Sequence, residues 1–148
     1  MTRTDNRKFL EKNRQVPEEL LASGKALCET ILEPIREHFG KPLIVHSGYR
    51  CPELNSAIGG SKASQHKLFE ACDFHVSGVD MTETWEWIAD NLAGEGRVGQ
   101  AILEGWSAGQ PGWIHISLGT PWRDIKKCGQ IMTFHQVSGK YTTARIVK

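Results

Sequence analysis

Apolar residues recur along this chain in two rhythms, one helical and one alternating. From Pro17, the residues Leu20, Leu21, Leu27, Ile31, Leu32, Ile35 and Phe39 keep to one helical face, which predicts a helix with Pro17 in its first turn and Gly40 at its stop. Pro34 carries no N–H and should kink that helix near its end. Before it, residues 1 to 16 are polar, with Arg3, Arg7, Lys8, Lys12 and Arg14 against Asp5 and Glu11. Only Phe9 and Leu10 offer an apolar anchor, so a loosely held, flexible arm is expected there. Residues 41 to 46 read as a strand, followed by a loop rich in Pro, Gly and Ser to about residue 64. Loops of that length inside a compact domain are usually functional or disordered. Residues 71 to 76 form a second short strand, and Asp80-x-x-Glu83 caps a helix to about residue 92 whose apolar face is Trp85, Ile88, Ala89 and Leu92. Strands are predicted at 100 to 104 and 113 to 118 around a Gly-rich turn, then at 130 to 137 and 141 to 147. A helix followed by mostly local strands, without regular βαβ alternation, points to an α+β domain on a largely antiparallel sheet.

Composition narrows the function classes. At 148 residues and 39% hydrophobic, the chain has room for one domain, expected over 17–148 behind the arm. Eighteen basic against 17 acidic side chains give a formal charge of +1, so no field for nucleic acid or anionic lipid is implied. Neither nucleic acid nor membrane is expected as a partner, and a monomer is. No apolar run approaches the ~20 residues that cross a bilayer, and Met1-Thr-Arg-Thr-Asp-Asn-Arg-Lys lacks a signal-peptide apolar stretch, so synthesis in the cytoplasm without a signal peptide is expected. Cys28, Cys51, Cys72 and Cys128 contain no CxxC pair; free thiols are the default, and Cys51 and Cys72 read as small buried hydrophobes.

Two motif matches fail on context. Gly94-Glu-Gly96-Arg-Val-Gly99 satisfies GxGxxG but follows a helix and precedes a strand, the reverse of a pyrophosphate-binding turn. Ser64-Gln-His-Lys67 satisfies SxxK without the companion elements of penicillin-binding enzymes. The informative residues are His66 in the Gly/Ser loop, Asp73 in Ala71-Cys72-Asp73-Phe74 and His115 in Trp113-Ile-His-Ile-Ser117. An apolar strand is an expensive place for an unpartnered carboxylate or imidazole. A divalent metal satisfies both, and catalytic zinc commonly takes three N/O ligands. Taken singly, each histidine is more often a hydrogen-bonded core or surface residue, and Asp73 could pair with Arg50. His75, two residues past Asp73, is an alternative ligand or a partner to one. His46 alternates with Ile44 and reads as core or as support for a ligand, while His38 and His135 look structural or solvated.

In combination, Ser47-Gly-Tyr-Arg50, Leu54-Asn55, Gly59-Gly60, Ser64-x-His66, Ala71-x-Asp73 and Trp113-x-His115-x-Ser117 resemble the M15 family of zinc peptidases, specifically its D-Ala-D-Ala carboxypeptidase-like branch in bacteriophages and bacteria. The resemblance runs from about residue 27 to 118. It implies a hedgehog/DD-peptidase-like fold, one zinc on His66, Asp73 and His115, and hydrolysis of peptidoglycan stem peptides after phage-mediated delivery or lysis. By the same resemblance Arg50 contacts substrate or the developing oxyanion, with Ser64, Gln65 and Trp113 as further substrate-binding residues. Two positions depart from the family pattern: Phe69 stands where a glycine is usual, and Gly112 where many members carry the general base. Glu104, ending Ala101-Ile-Leu-Glu104, is the replacement base. The rival reading is a non-catalytic metal-bearing module that binds cell wall or builds a virion.

Overall fold

The computed structural model describes residues 7–135 and 137–148. Short α1 (Leu10–Arg14) precedes a long helical rod made of α2 (Leu21–Leu27), a π turn (Cys28–Leu32) and α3 (Glu33–Phe39). The wide turn sits just ahead of Pro34, where the chain cannot donate back into the preceding turn, so the expected kink is absorbed by π geometry. Gly40 ends the rod in the left-handed region at φ 59°. Leu27, Ile31 and Ile35 form its buried stripe, whereas Leu21, expected on that face, is half exposed.

Strands β1 (Leu43–Ser47), β2 (Ala71–Val76), β3 (Val98–Glu104), β4 (Trp113–Leu118), β5 (Gln130–His135) and β6 (Lys140–Ile146) make one sheet ordered β1-β2-β4-β3-β5-β6. Every pairing is antiparallel except β3 with β5. This is the predicted α+β architecture. The last two strands were placed at 130 to 137 and 141 to 147; residue 136 lies outside the described residues, as do 1 to 6 of the expected arm. Residues 10 to 14 of that arm form α1 instead of coil. Asn13 fastens it, donating to Tyr49 O at 3.1 Å and accepting from Cys51 N at 2.8 Å.

Alternation along the strands sorts the sheet into two faces. Phe74, Val76, Ile114, Ile116, Leu118, Leu103 and Ile131 point to the helices and pack on Leu27, Ile31, Ile35, Ile88 and Leu92. Burying each of the larger of these side chains contributes about 1.5–3 kcal/mol. Helix α5 (Met81–Asn91) is capped as expected, with Asp80 Oδ1 accepting from Thr82 N at 2.8 Å and Glu83 N at 3.0 Å. The opposite face of the central strands carries Asp73 and His115, and the long loop after β1 folds against it. That loop, expected to be irregular, contains α4 (Pro52–Ala57), with Pro52 in its first turn. Asn55 on α4 donates to Ser61 O at 2.9 Å, and a Cβ at Gly60 would fall 2.2 Å from Asn55 Oδ1. The Leu54-Asn55 and Gly59-Gly60 pairs are thus one device for turning the loop back toward the sheet.

Candidate metal centre

Antiparallel pairing sets Asp73 of β2 opposite His115 of β4, and His115 opposite Ile102 of β3, all on the open face. His66 comes from the single-turn helix Gln65–Leu68, which lays its imidazole over that rung. The three meet closely: His66 Nε2 to Asp73 Oδ1 is 3.1 Å, His115 Nδ1 to Asp73 Oδ1 2.9 Å, and His66 Nε2 to His115 Nδ1 3.2 Å. Their side chains are only 3%, 6% and 12% exposed for His66, Asp73 and His115, too little for water to keep the groups apart.

Hydrogen bonding fixes which atoms face inward. His66 Nδ1 lies 2.7 Å from Gly48 O, which can only accept, so Nδ1 carries the proton and a neutral His66 turns the lone pair of Nε2 into the triangle. A proton on His115 Nδ1 faces acceptors on both of its edges, but the edge between His66 Nε2 and Asp73 Oδ1 then opposes two lone pairs. Three donor atoms about 3 Å apart match ligands sharing one ion at ~2.0–2.2 Å, and two imidazoles with one carboxylate suit zinc. The donor set therefore fits a metal. Burial pushes the Asp73 carboxyl up, but hydrogen bonds and charge from His115 and His66 outweigh it and hold the group well below the usual carboxylate range.

Arg50 is placed behind the triangle. Its Nη2 donates to the outer oxygen of Asp73, Oδ2, at 2.5 Å, and its Nε donates to Ser47 Oγ at 2.7 Å. The guanidinium thereby orients Asp73 so that Oδ1 faces the histidines. It also lines the cleft, so the expected substrate contact and the ion pair with Asp73 are both open to it.

Glu104 stands opposite Trp113, two rungs beyond Ile102 and His115, and therefore on the metal-ligand face. Trp113 Nε1 donates to Glu104 Oε2 at 3.1 Å, which steadies the carboxylate and leaves its other oxygen for the cleft. Gly112 has a steric reason to lack a side chain, since a Cβ there would sit 2.7 Å from Gly105 O. No acid fits at 112 with this turn, and β3 supplies one instead. Phe69 has the left-handed φ of 55° that explains why glycine suits the position. Its ring compensates by packing on Gly24, where a Cβ would come within 2.4 Å of Phe69 Cδ1.

His75 does not join the triangle. Its Nδ1 lies 2.7 Å from His46 Nε2, and the rings stack at 4.9 Å. His46 is exposed, contrary to the core reading, because β1 is an edge strand of the sheet and Ile44, with which His46 alternates, is itself exposed. His38 stacks on Trp87 at 4.3 Å, and His135 is exposed. Cys72 and Cys51 are buried, and burial pushes the Cys72 thiol up to about 12.

These groups line a cleft of about 510 Å³ whose walls include Arg50, Ser64, Gln65, Glu104 and the metal triangle. Trp113 faces an adjoining hollow shared with His46, Arg50 and Glu104. Sequence reasoning passed over Gln100, Arg123 and Tyr141, which line the same cleft. Gln100 sits at an alternate position of an identified strand and could have been found by counting; Arg123 lies in a turn that no periodicity points to. The family model described as Peptidase M15 matches residues 4–117, well over half of the chain. No curated protein matches it.

Proposed function

Because the chain belongs to the M15 peptidase family, whose members are metal-dependent hydrolases, we propose that it is a zinc peptidase cleaving the stem peptides of peptidoglycan, as a D-Ala-D-Ala carboxypeptidase or a related endopeptidase. The supporting observation is the convergence of His66, Asp73 and His115 within a polar cleft that also holds Glu104 and Arg50. A zinc ion held by those three would supply Lewis acidity toward the scissile carbonyl and make water a usable nucleophile near neutral pH. Glu104, two rungs away with one oxygen held by Trp113, accepts the nucleophile's proton and returns it to the leaving amine. Arg50 holds Asp73 in place and presents its remaining donors to the charge that develops on the substrate. Ser64, Gln65 and Trp113 bind the peptide along the walls, and no covalent intermediate is needed. The enzyme works as a monomer and meets its polymeric substrate outside the cytoplasm, through phage delivery or lysis.

The deciding experiment incubates zinc-loaded protein with purified cell walls and follows new free amines. Release of amines, lost in Glu104→Gln, is expected. Protein that pellets with the walls but releases none would be a wall-binding module, and cleavage of soluble dipeptides alone would move the substrate to small molecules.

A further inference from the structure

The family match stops at residue 117, but the cleft continues past it. Its floor runs along the strands, from Glu104 through the rung of Ile102, His115 and Asp73 to Gln100. Gln100 lies two residues from Ile102, about 7 Å along β3. Here Gln100 Nε2 donates to Gln130 Oε1 at 2.9 Å, and Arg123 Nη2 approaches the same oxygen at 3.3 Å.

Arg123 is held from behind. Its Nε donates to Lys127 O at 2.9 Å, and its backbone N–H donates to Gly119 O at 2.9 Å. Its stem lies over Gly99, where a Cβ would stand 3.0 Å from Arg123 Cδ and 2.8 Å from Ser117 Oγ. A side chain at 99 would meet Leu118 O first, at 2.5 Å, so the close approach of this stem to β3 goes with glycine at that position. Two of its five N–H groups have partners among the described residues. No carboxylate lies within ion-pair distance of it among those residues; Glu70 feels its charge from further away, against a burial that pushes the Glu70 carboxyl up.

A guanidinium fixed by its Nε and stem, with donors left over and no carboxylate in ion-pair contact among the described residues, is suited to receive a planar anion. We propose that Arg123 is a specificity-determining residue that receives a carboxylate of the peptide substrate about two residues from the scissile bond, on the Gln100 side of the metal centre. Gln130 and Gln100 set the tilt of the guanidinium, so the carboxylate is read by geometry as well as charge. The inference rests on the peptidase reading and deepens it, restricting the substrate to peptides with a free carboxylate at that distance. The carboxylate belongs either to the chain terminus or to an acidic residue within the peptide.

Three probes separate those sources: L-Ala-γ-D-Glu-L-Lys-D-Ala-D-Ala, its C-terminal amide, and the analogue whose glutamate carboxylate is a carboxamide. Hydrolysis by the zinc-loaded full chain gives kcat/KM, and calorimetric titration gives binding. One of the two amide exchanges should lower kcat/KM on the order of 10-fold or more, since a site built to bind a polar group rejects the analogue lacking it. Arg123→Gln should lose a similar factor on the parent peptide and be indifferent to that exchange, with metal content and melting temperature unchanged. Arg123→Lys should recover part of the loss. Two exchanges that are both silent in the parent protein, or equally damaging in Arg123→Gln, would overturn the proposal. If the parent protein hydrolyses none of the probes, the peptidase reading fails and titration decides the receptor separately: carboxylate preferred over amide, and the preference lost in Arg123→Gln, supports it, while equal or absent binding overturns it. Should Arg123→Gln not fold, Arg123→Lys and the probe series on the parent protein decide by the same criteria.

Discussion

Two pairs of histidines lie on the same side of this sheet and differ in what surrounds them. His66 and His115 approach to 3.2 Å in near-complete burial, with Asp73 Oδ1 closing a triangle and Gly48 O dictating the tautomer of His66. His46 and His75 approach even closer, to 2.7 Å, at an exposed position on β1 and β2. Among the described residues only the first pair gathers a third ligand-type donor. Nearness of imidazoles is therefore a poor guide to a metal site. A carboxylate, a carbonyl that fixes the inward nitrogen, and exclusion of water separate the two pairs.

The comparison breaks first on metal content. His66→Ala, Asp73→Ala and His115→Ala should each lose most of the zinc and essentially all hydrolysis, while His46→Ala and His75→Ala keep about one zinc per chain; elemental analysis of the purified variants checks this. Zinc retained in His115→Ala but lost in His75→Ala would reverse the assignment. Next in size, Glu104 lines hollows shared with both pairs, and Glu104→Gln should cost about 10²-fold or more in turnover with zinc retained, because the amide keeps the shape but takes no proton. Activity near that of the parent would require another base.

A smaller effect tests what holds the buried triangle in register. Arg50 reaches Asp73 and Ser47 with two arms of one fork, and a lysine can occupy only one. Arg50→Lys should weaken zinc binding roughly 10-fold, as removal of groups supporting metal ligands typically does, measured by competition with a chelator. Unchanged affinity with impaired turnover would make Arg50 chiefly a substrate contact. The smallest effect concerns the turn that carries His66. Phe69→Ala keeps the left-handed backbone and loses the ring, whereas Phe69→Gly loses the ring and relieves the backbone. The glycine variant should melt later than the alanine variant by about 1–2 kcal/mol of stability.

Much of this was legible in the sequence because strand alternation acts over short distances. Counting by twos from Glu104 and from Trp113 puts Glu104, Ile102 and His115 on one face, and the observed register of Glu104 with Trp113 and Ile102 with His115 agrees. The same counting misplaced His46, since it groups His46 with Ile44 correctly but does not tell that β1 is an edge strand whose Ile44 is itself exposed. At Pro34 the sequence announces a kink but not the π turn that absorbs it, and the helix inside the Gly/Ser loop, six residues long, is too short to show a helical period. Arg123 escaped because its position in the cleft depends on Gly99 of β3 and on Gln130 of β5, contacts distant in sequence that one-dimensional reading does not bring together.

The connection between β4 and β5 has a consequence for how such a molecule can change. It steps over the start of β3 and is stitched down at both ends, with Gly119 N on Arg97 O, Thr120 N on Gly96 O and Gly129 N on Val98 O. Between those stitches the backbone of residues 121 to 128 forms no rung of the sheet, yet it delivers Arg123 to the cleft. If Arg123 receives the substrate carboxylate as proposed, the bridge is a cassette: rewriting it alters which peptides are admitted while the strands carrying the metal ligands keep their register.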